Sequence, residues 1–138
     1  MDASSTNDFK LQEILLDKNL AKFGDAIVNY IYNAAVYEAT EKLQGVKVWD
    51  KSLAKACRAS PLRNLVGSKK NAGELGDAVE AFIGFLYIKK SKSIINQMIE
   101  ILKRFIIQNW VLLSDEQEIC SEAFTHLLSV LCNEIGIV

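Results

Sequence analysis

The stretch that most constrains this chain is Gly76-Asp77-Ala78-Val79-Glu80-Ala81-Phe82-Ile83-Gly84-Phe85-Leu86-Tyr87. Its apolar residues are too continuous for an exposed helix, yet two acids are set into them. Asp77 and Glu80 stand three residues apart, so on a helix they share a face. Two adjacent carboxylates repel each other, and the cost persists unless something neutralises them. A divalent cation is the common remedy, because hard oxygen donors suit magnesium or manganese. An isolated pair at this spacing is also met in core helices whose acids face solvent or a lysine. A second segment, Phe23-Gly24-Asp25-Ala26-Ile27-Val28, repeats the Gly-Asp-Ala-aliphatic pattern. Two such helices can bring Asp25, Asp77 and Glu80 together.

The rest of the chain reads as all-α. It has 138 residues, enough for one domain with a core, and a single proline. The spacing predicts a short amphipathic helix from Phe9 to Leu16 and a helix from Leu20 to about Leu43, with Asp17 or Asn19 as its cap and Gly45 ending it. Gly24 lies inside that helix, where a glycine costs about 1 kcal/mol relative to alanine. It implies close approach of another backbone or of a partner chain. Tyr30, Tyr32 and Tyr37 read as core-edge aromatics. Shorter helices are expected from Asp50 to about Ala59 and after Pro61, which suits a first turn. Longer ones run from Ala72 to about Ile88, from Ile94 to about Trp110, and from Asp115 to about Ile135. Lys89 and Lys90 break the pattern, and Ser114 with Gln117 forms a capping box. One domain over residues 1–138 is expected, with loose residues 1–8 and a C-terminal helix over 114–138.

Charge is unevenly spread although the net is only −1. Between Lys42 and Lys70 stand eight basic residues against one acid, Asp50, a net +7 that leaves −8 for the remainder. Lys47, Lys51, Lys55 and Arg58 follow at spacings of four, four and three, a basic stripe joined by Arg63, Lys69 and Lys70. After Arg104 every charged side chain except the lone histidine is acidic. A basic nucleic-acid face opposite an acidic back is the expectation. No apolar run approaches the ~18 residues of a membrane span. The first residues do not read as a signal peptide, so a cytoplasmic location is expected. Cys57, Cys120 and Cys132 lack metal-type spacing and read as buried apolar residues. His126 stands among apolar residues, with no Ser-His-Asp or Cys-His arrangement. Any chemistry falls to carboxylates and metal.

Leu20-Ala21-Lys22-Phe23-Gly24-Asp25-Ala26-Ile27 and the Asp77–Tyr87 helix together resemble the catalytic domain of the ribonuclease III family over roughly residues 9 to 112. The second segment is similar to that family's Asp-x-x-Glu-Ala-x-x-Gly-x-x-Tyr helix. The resemblance implies an all-helical homodimer that cleaves double-stranded or structured RNA with magnesium, with manganese a possible substitute. Carried over by position, Asp25, Asp77 and Glu80 are its catalytic and metal-binding acids. Lys47, Lys51, Lys55, Arg58, Arg63, Lys69 and Lys70 are then the RNA-binding residues. The chain departs from the pattern at Ala21, where the family usually has a glutamate, at Asn19 in place of an arginine, and at Lys22 in place of an aromatic that often serves the dimer contact. Glu74 is a candidate to compensate for Ala21. The miniature ribonuclease III branch, which lacks a double-stranded RNA-binding domain, is the nearest match, and RNA binding is then expected to rest on the dimer. Two alternatives stay open: a non-catalytic RNA-binding or ribosome-associated dimer, favoured by Ala21, and an unrelated helical adaptor.

Overall fold

A computed structural model describes residues 10–67, 70–112 and 115–137. A helical segment over residues 10–15 precedes α1 (Lys18–Thr40), α2 (Asp50–Arg58), α3 (Arg63–Val66), α4 (Ala72–Lys90), α5 (Ser93–Asn109) and α6 (Glu116–Glu134). The fold is all-α, with no strand among the described residues. Phe9, residues 1–8, Lys69 and Ser114 lie outside them.

Helix ends follow local chemistry. Asp17 starts α1, its carboxylate accepting the N–H groups of Asn19 and Leu20 at 2.9 and 3.0 Å. The helix stops at Thr40, short of the expected Leu43. Glu41 turns left-handed (φ 63°) and donates its N–H to the Tyr37 carbonyl at 2.7 Å. Gly45 is therefore no cap; it lies within the non-helical segment 41–49. Asn71 and Glu74 close a reciprocal capping box on α4. Lys89 and Lys90 complete α4 instead of breaking it, as cations at a helix C-terminus are favourable. At α6 the cap is Asp115, which accepts from Gln117 N–H at 2.7 Å.

α1 and α4 form the central pair. A Cβ built on Gly24 would fall on the backbone carbonyl of Glu80, and one on Gly84 would lie 2.9 Å from the Leu20 carbonyl oxygen. The close approach implied by Gly24 is thus made by α4 of the same chain. Tyr32, Phe82 and Phe124 are among the largest fully buried side chains. Tyr32 is no edge residue: it is fully buried and donates its hydroxyl to Glu116 at 2.8 Å. Tyr30 and Tyr37 are exposed. All three cysteines are buried free thiols; burial pushes Cys57 up to about 11 and Cys120 and Cys132 up to about 12. His126 is exposed and stacks on Phe105.

Basic α2 packs directly on acidic α6, where Ser52 donates to the Gln117 carbonyl at 3.0 Å. Both are amphipathic and bury their apolar sides in this contact. Lys47 also stands outside α2, in the segment before it, so the helical stripe begins at Lys51.

Candidate active site

The crossing of α1 and α4 builds an acidic cavity. Because both helices lack a side chain at the contact, Asp25 on α1 comes within hydrogen-bonding reach of Glu80 on α4. Asp25, Asp77 and Glu80 line one open cavity of about 320 Å3. Ala21, Lys18, Lys22, Lys47 and Asp50 complete its wall.

Glu80 is only 8% exposed. Burial pushes its carboxyl up to about 9, reinforced by the hydrogen bond to Asp25 and by the charges of Asp25, Asp77 and Asp50. Asp25 moves the other way, held below the ordinary carboxylate range by that same hydrogen bond, then by Lys47 and Asn29. At the rim, Lys18 Nζ lies 2.8 Å from Asp77 Oδ2 and Lys47 Nζ lies 3.4 Å from Asp25 Oδ1.

A polar stripe on α1 sets the opposite wall. Asp25, Asn29 and Asn33 follow at intervals of four, hence on one face. Asn29 donates to Asp25 at 3.3 Å and accepts the Val48 N–H at 2.7 Å. Asn33 accepts the Val46 N–H at 3.0 Å and donates to the Val46 carbonyl at 2.7 Å. These bonds dock the segment before α2 onto α1, which delivers Lys47 and Asp50 to the cavity. Sequence reasoning missed Lys18 and Asp50. The asparagine spacing from Asp25 was the available signal, but it does not reveal its backbone partner.

Glu74 is not part of this wall. It is committed to the α4 cap and pairs with Lys70 at 3.6 Å. Among the described residues predicted to bind RNA, only Lys47 lines the acidic cavity. Lys51 is exposed on α2. Lys55 lines a separate hollow with Glu122 and His126. Arg58, Arg63 and Lys70 line another, of about 460 Å3.

In chemical type the donor set is one a hard divalent cation takes: carboxylate oxygens from two helices face one cavity. Among the described residues, no three His, Cys, Asp or Glu side chains are drawn together as a finished ligand set.

The Glu80 proton has a consequence for stability. Its folded pKa, about 9, exceeds the ordinary 4.5, so between those values the folded chain binds a proton that the unfolded chain lacks. Stability must then fall as pH rises through that window. Glu80→Gln keeps a hydrogen-bond donor and removes the titration. Thermal melts in chelator should show the variant gaining on the wild type steadily between about pH 5 and about pH 9. A difference that stays flat with pH would show that Glu80 ionises normally.

The family model described as Ribonuclease III matches residues 18–137 of the chain. A search of curated proteins gave no match. The match runs from the start of α1 past the end of α6, so it takes in the α1–α4 crossing and every wall of the acidic cavity. This all-helical chain belongs to the ribonuclease III family.

Proposed function

We propose that the chain is a metal-dependent endoribonuclease that hydrolyses phosphodiester bonds in double-stranded or structured RNA. One observation carries the proposal. Acids from two helices far apart in sequence share a single cavity, with one carboxyl buried, in a chain of a ribonuclease family. Asp25, Asp77 and Glu80 are the acids that would hold Mg2+, or Mn2+ in its place. When bound, such an ion lowers the pKa of a water and stabilises the departing 3′ oxygen.

The chain's own residues supply the remainder. The glycine-backed crossing fixes Asp25 against Glu80, so neither carboxyl needs to be ordered during turnover. To act as a ligand Glu80 would have to release its proton to solvent, as metal ligands must be deprotonated. Lys18 and Lys47 are exposed, and exposed ion pairs add little to stability because solvent screens them. Both ammonium groups can therefore move from a carboxylate to an RNA phosphate at little cost. Lys51, Lys55 and Arg58 on α2, with Arg63 and Lys70 beyond it, would hold the duplex backbone by charge and shape.

A second copy is the proposed partner. Phe23, Tyr30, Tyr87 and Ile95 line an open, mostly apolar hollow of about 740 Å3 on another face of α1. Phe23 and Tyr30 are 43% and 60% exposed there, and Phe23 meets Tyr87 edge to face at 5.5 Å. Exposed aromatic groups of this kind mark association surfaces. The non-catalytic alternative draws on Ala21, which places a methyl group in the cavity wall where the family pattern has a carboxylate.

Three measurements test these statements. With labelled duplex RNA and Mg2+ or Mn2+, the wild type should cut. Glu80→Gln should bind the RNA as well but cut it at least about 10–100-fold more slowly, the loss typical of disturbing even an outer partner of a metal site. Uncut RNA with wild-type protein would leave the binding-only dimer. Neutralising Lys51, Lys55 and Arg58 together should flatten the salt dependence of RNA affinity by about 0.9 in log–log slope per lost phosphate contact; an unchanged slope removes α2 from the RNA face. Sedimentation should give a dimer that Tyr30→Lys dissociates, whereas a wild-type monomer at all concentrations would refute the association surface.

A further inference from the structure

The cavity has a gap and an unused acid. Ala21 lines it and offers no oxygen. Asp50 lines it too, at the first position of α2. Two independent contacts fix where Asp50 stands. The Asn29 and Asn33 hydrogen bonds hold residues 46 and 48 to α1, one turn and two turns along from Asp25. On the other side, the Asp50 backbone packs on Gly76 of α4, beside Asp77: a Cβ there would lie 3.7 Å from the Asp50 carbonyl oxygen. Asp50 is thus braced between the two helices that carry the other acids.

Its carboxylate is not spent elsewhere. Asp77 has Lys18 and Asp25 has Lys47, whereas the Asp50 side chain has no hydrogen-bond or ion-pair partner among the described residues. It makes no capping bond, since Trp49 occupies the cap position of α2. An acid in the first turn of a helix has an ordinary explanation, its favourable interaction with the helix dipole. That explanation accounts for a small gain in stability. It does not account for two separate braces that direct the residue to a wall already crowded with negative charge.

We propose that Asp50 replaces the carboxylate missing at position 21 and serves, directly or through a water, as the fourth acidic donor to the divalent cation of this cavity. The assignment rests on the metal-dependent reading above. It would give a chain with alanine at position 21 a fourth acid at the cavity wall, supplied from the start of α2 in place of the preceding turn of α1.

The test reads metal binding, not turnover. Metal-free protein is titrated with Mn2+ and free ion is followed by electron paramagnetic resonance, with melting temperatures in chelator as a folding control. Asp50→Asn should weaken Mn2+ binding about tenfold or more while melting within a few degrees of the wild type. Ala21→Glu added to Asp50→Asn should restore most of the lost affinity, and Glu74→Gln should change nothing. Restoration is the decisive result, because a helix-dipole role for Asp50 cannot be met by a carboxylate on α1. If Asp50→Asn binds Mn2+ like the wild type while Asp25→Asn and Glu80→Gln do not, the Asp50 assignment is wrong and the three-acid site stands. If the wild type binds no Mn2+ at all, the assignment and the metal-dependent reading are overturned together.

Discussion

The contact between the bare backbones of α1 and α4 is the constraint from which the rest of the site follows. Gly24 meets the Glu80 carbonyl, and Gly84 meets the turn of α1 that precedes Gly24. Without a Cβ at either place, the axes approach closely enough for Asp25 and Glu80 to line one cavity and shift each other's pKa in opposite directions. Any side chain at Gly24 would have to displace backbone, and a well-packed interior has little room to yield. The two glycines thus convert local sequence into an interhelical distance.

That distance has an electrostatic cost which the chain meets only partly. Glu80 is buried beside other acids, so it stays protonated where a solvated carboxyl would be charged. Asp25 and Asp77 remain near exposed lysine ammonium groups at the cavity rim. Lysine pairs of this kind are weakly held and easily exchanged. A cavity with a buried carboxyl of raised pKa and loosely held counter-charges is poorly optimised for stability, and perturbation of this sort concentrates at functional sites.

The second determinant is the polar stripe Asp25–Asn29–Asn33. Its asparagine side chains satisfy backbone groups of the segment between α1 and α2, a segment with no regular structure to satisfy them. The same bonds that anchor this connection carry Lys47 and Asp50 to the cavity wall. Anchoring the chain and completing the acidic site are therefore one structural act. The pairing of α2 with α6 has a different cause, the burial of two apolar faces.

Apolar periodicity and capping chemistry are local, so the sequence alone determined the all-α class and most helix ends to within a few residues. The Gly-Asp-Ala motifs likewise pointed to Asp25, Asp77 and Glu80, because spacing on a helix fixes which side chains share a face. Local chemistry failed at Glu41, where a non-glycine residue took the left-handed turn, and at Lys89 and Lys90, which prolong α4. Other features belonged to tertiary structure only: that Gly24 packs within its own chain, that Tyr32 is central, that Glu74 is committed to a cap, and that Asp50 joins the acids. Each depends on which backbone lies across from a side chain, and that is set by packing between segments dozens of residues apart, which no short-range pattern encodes.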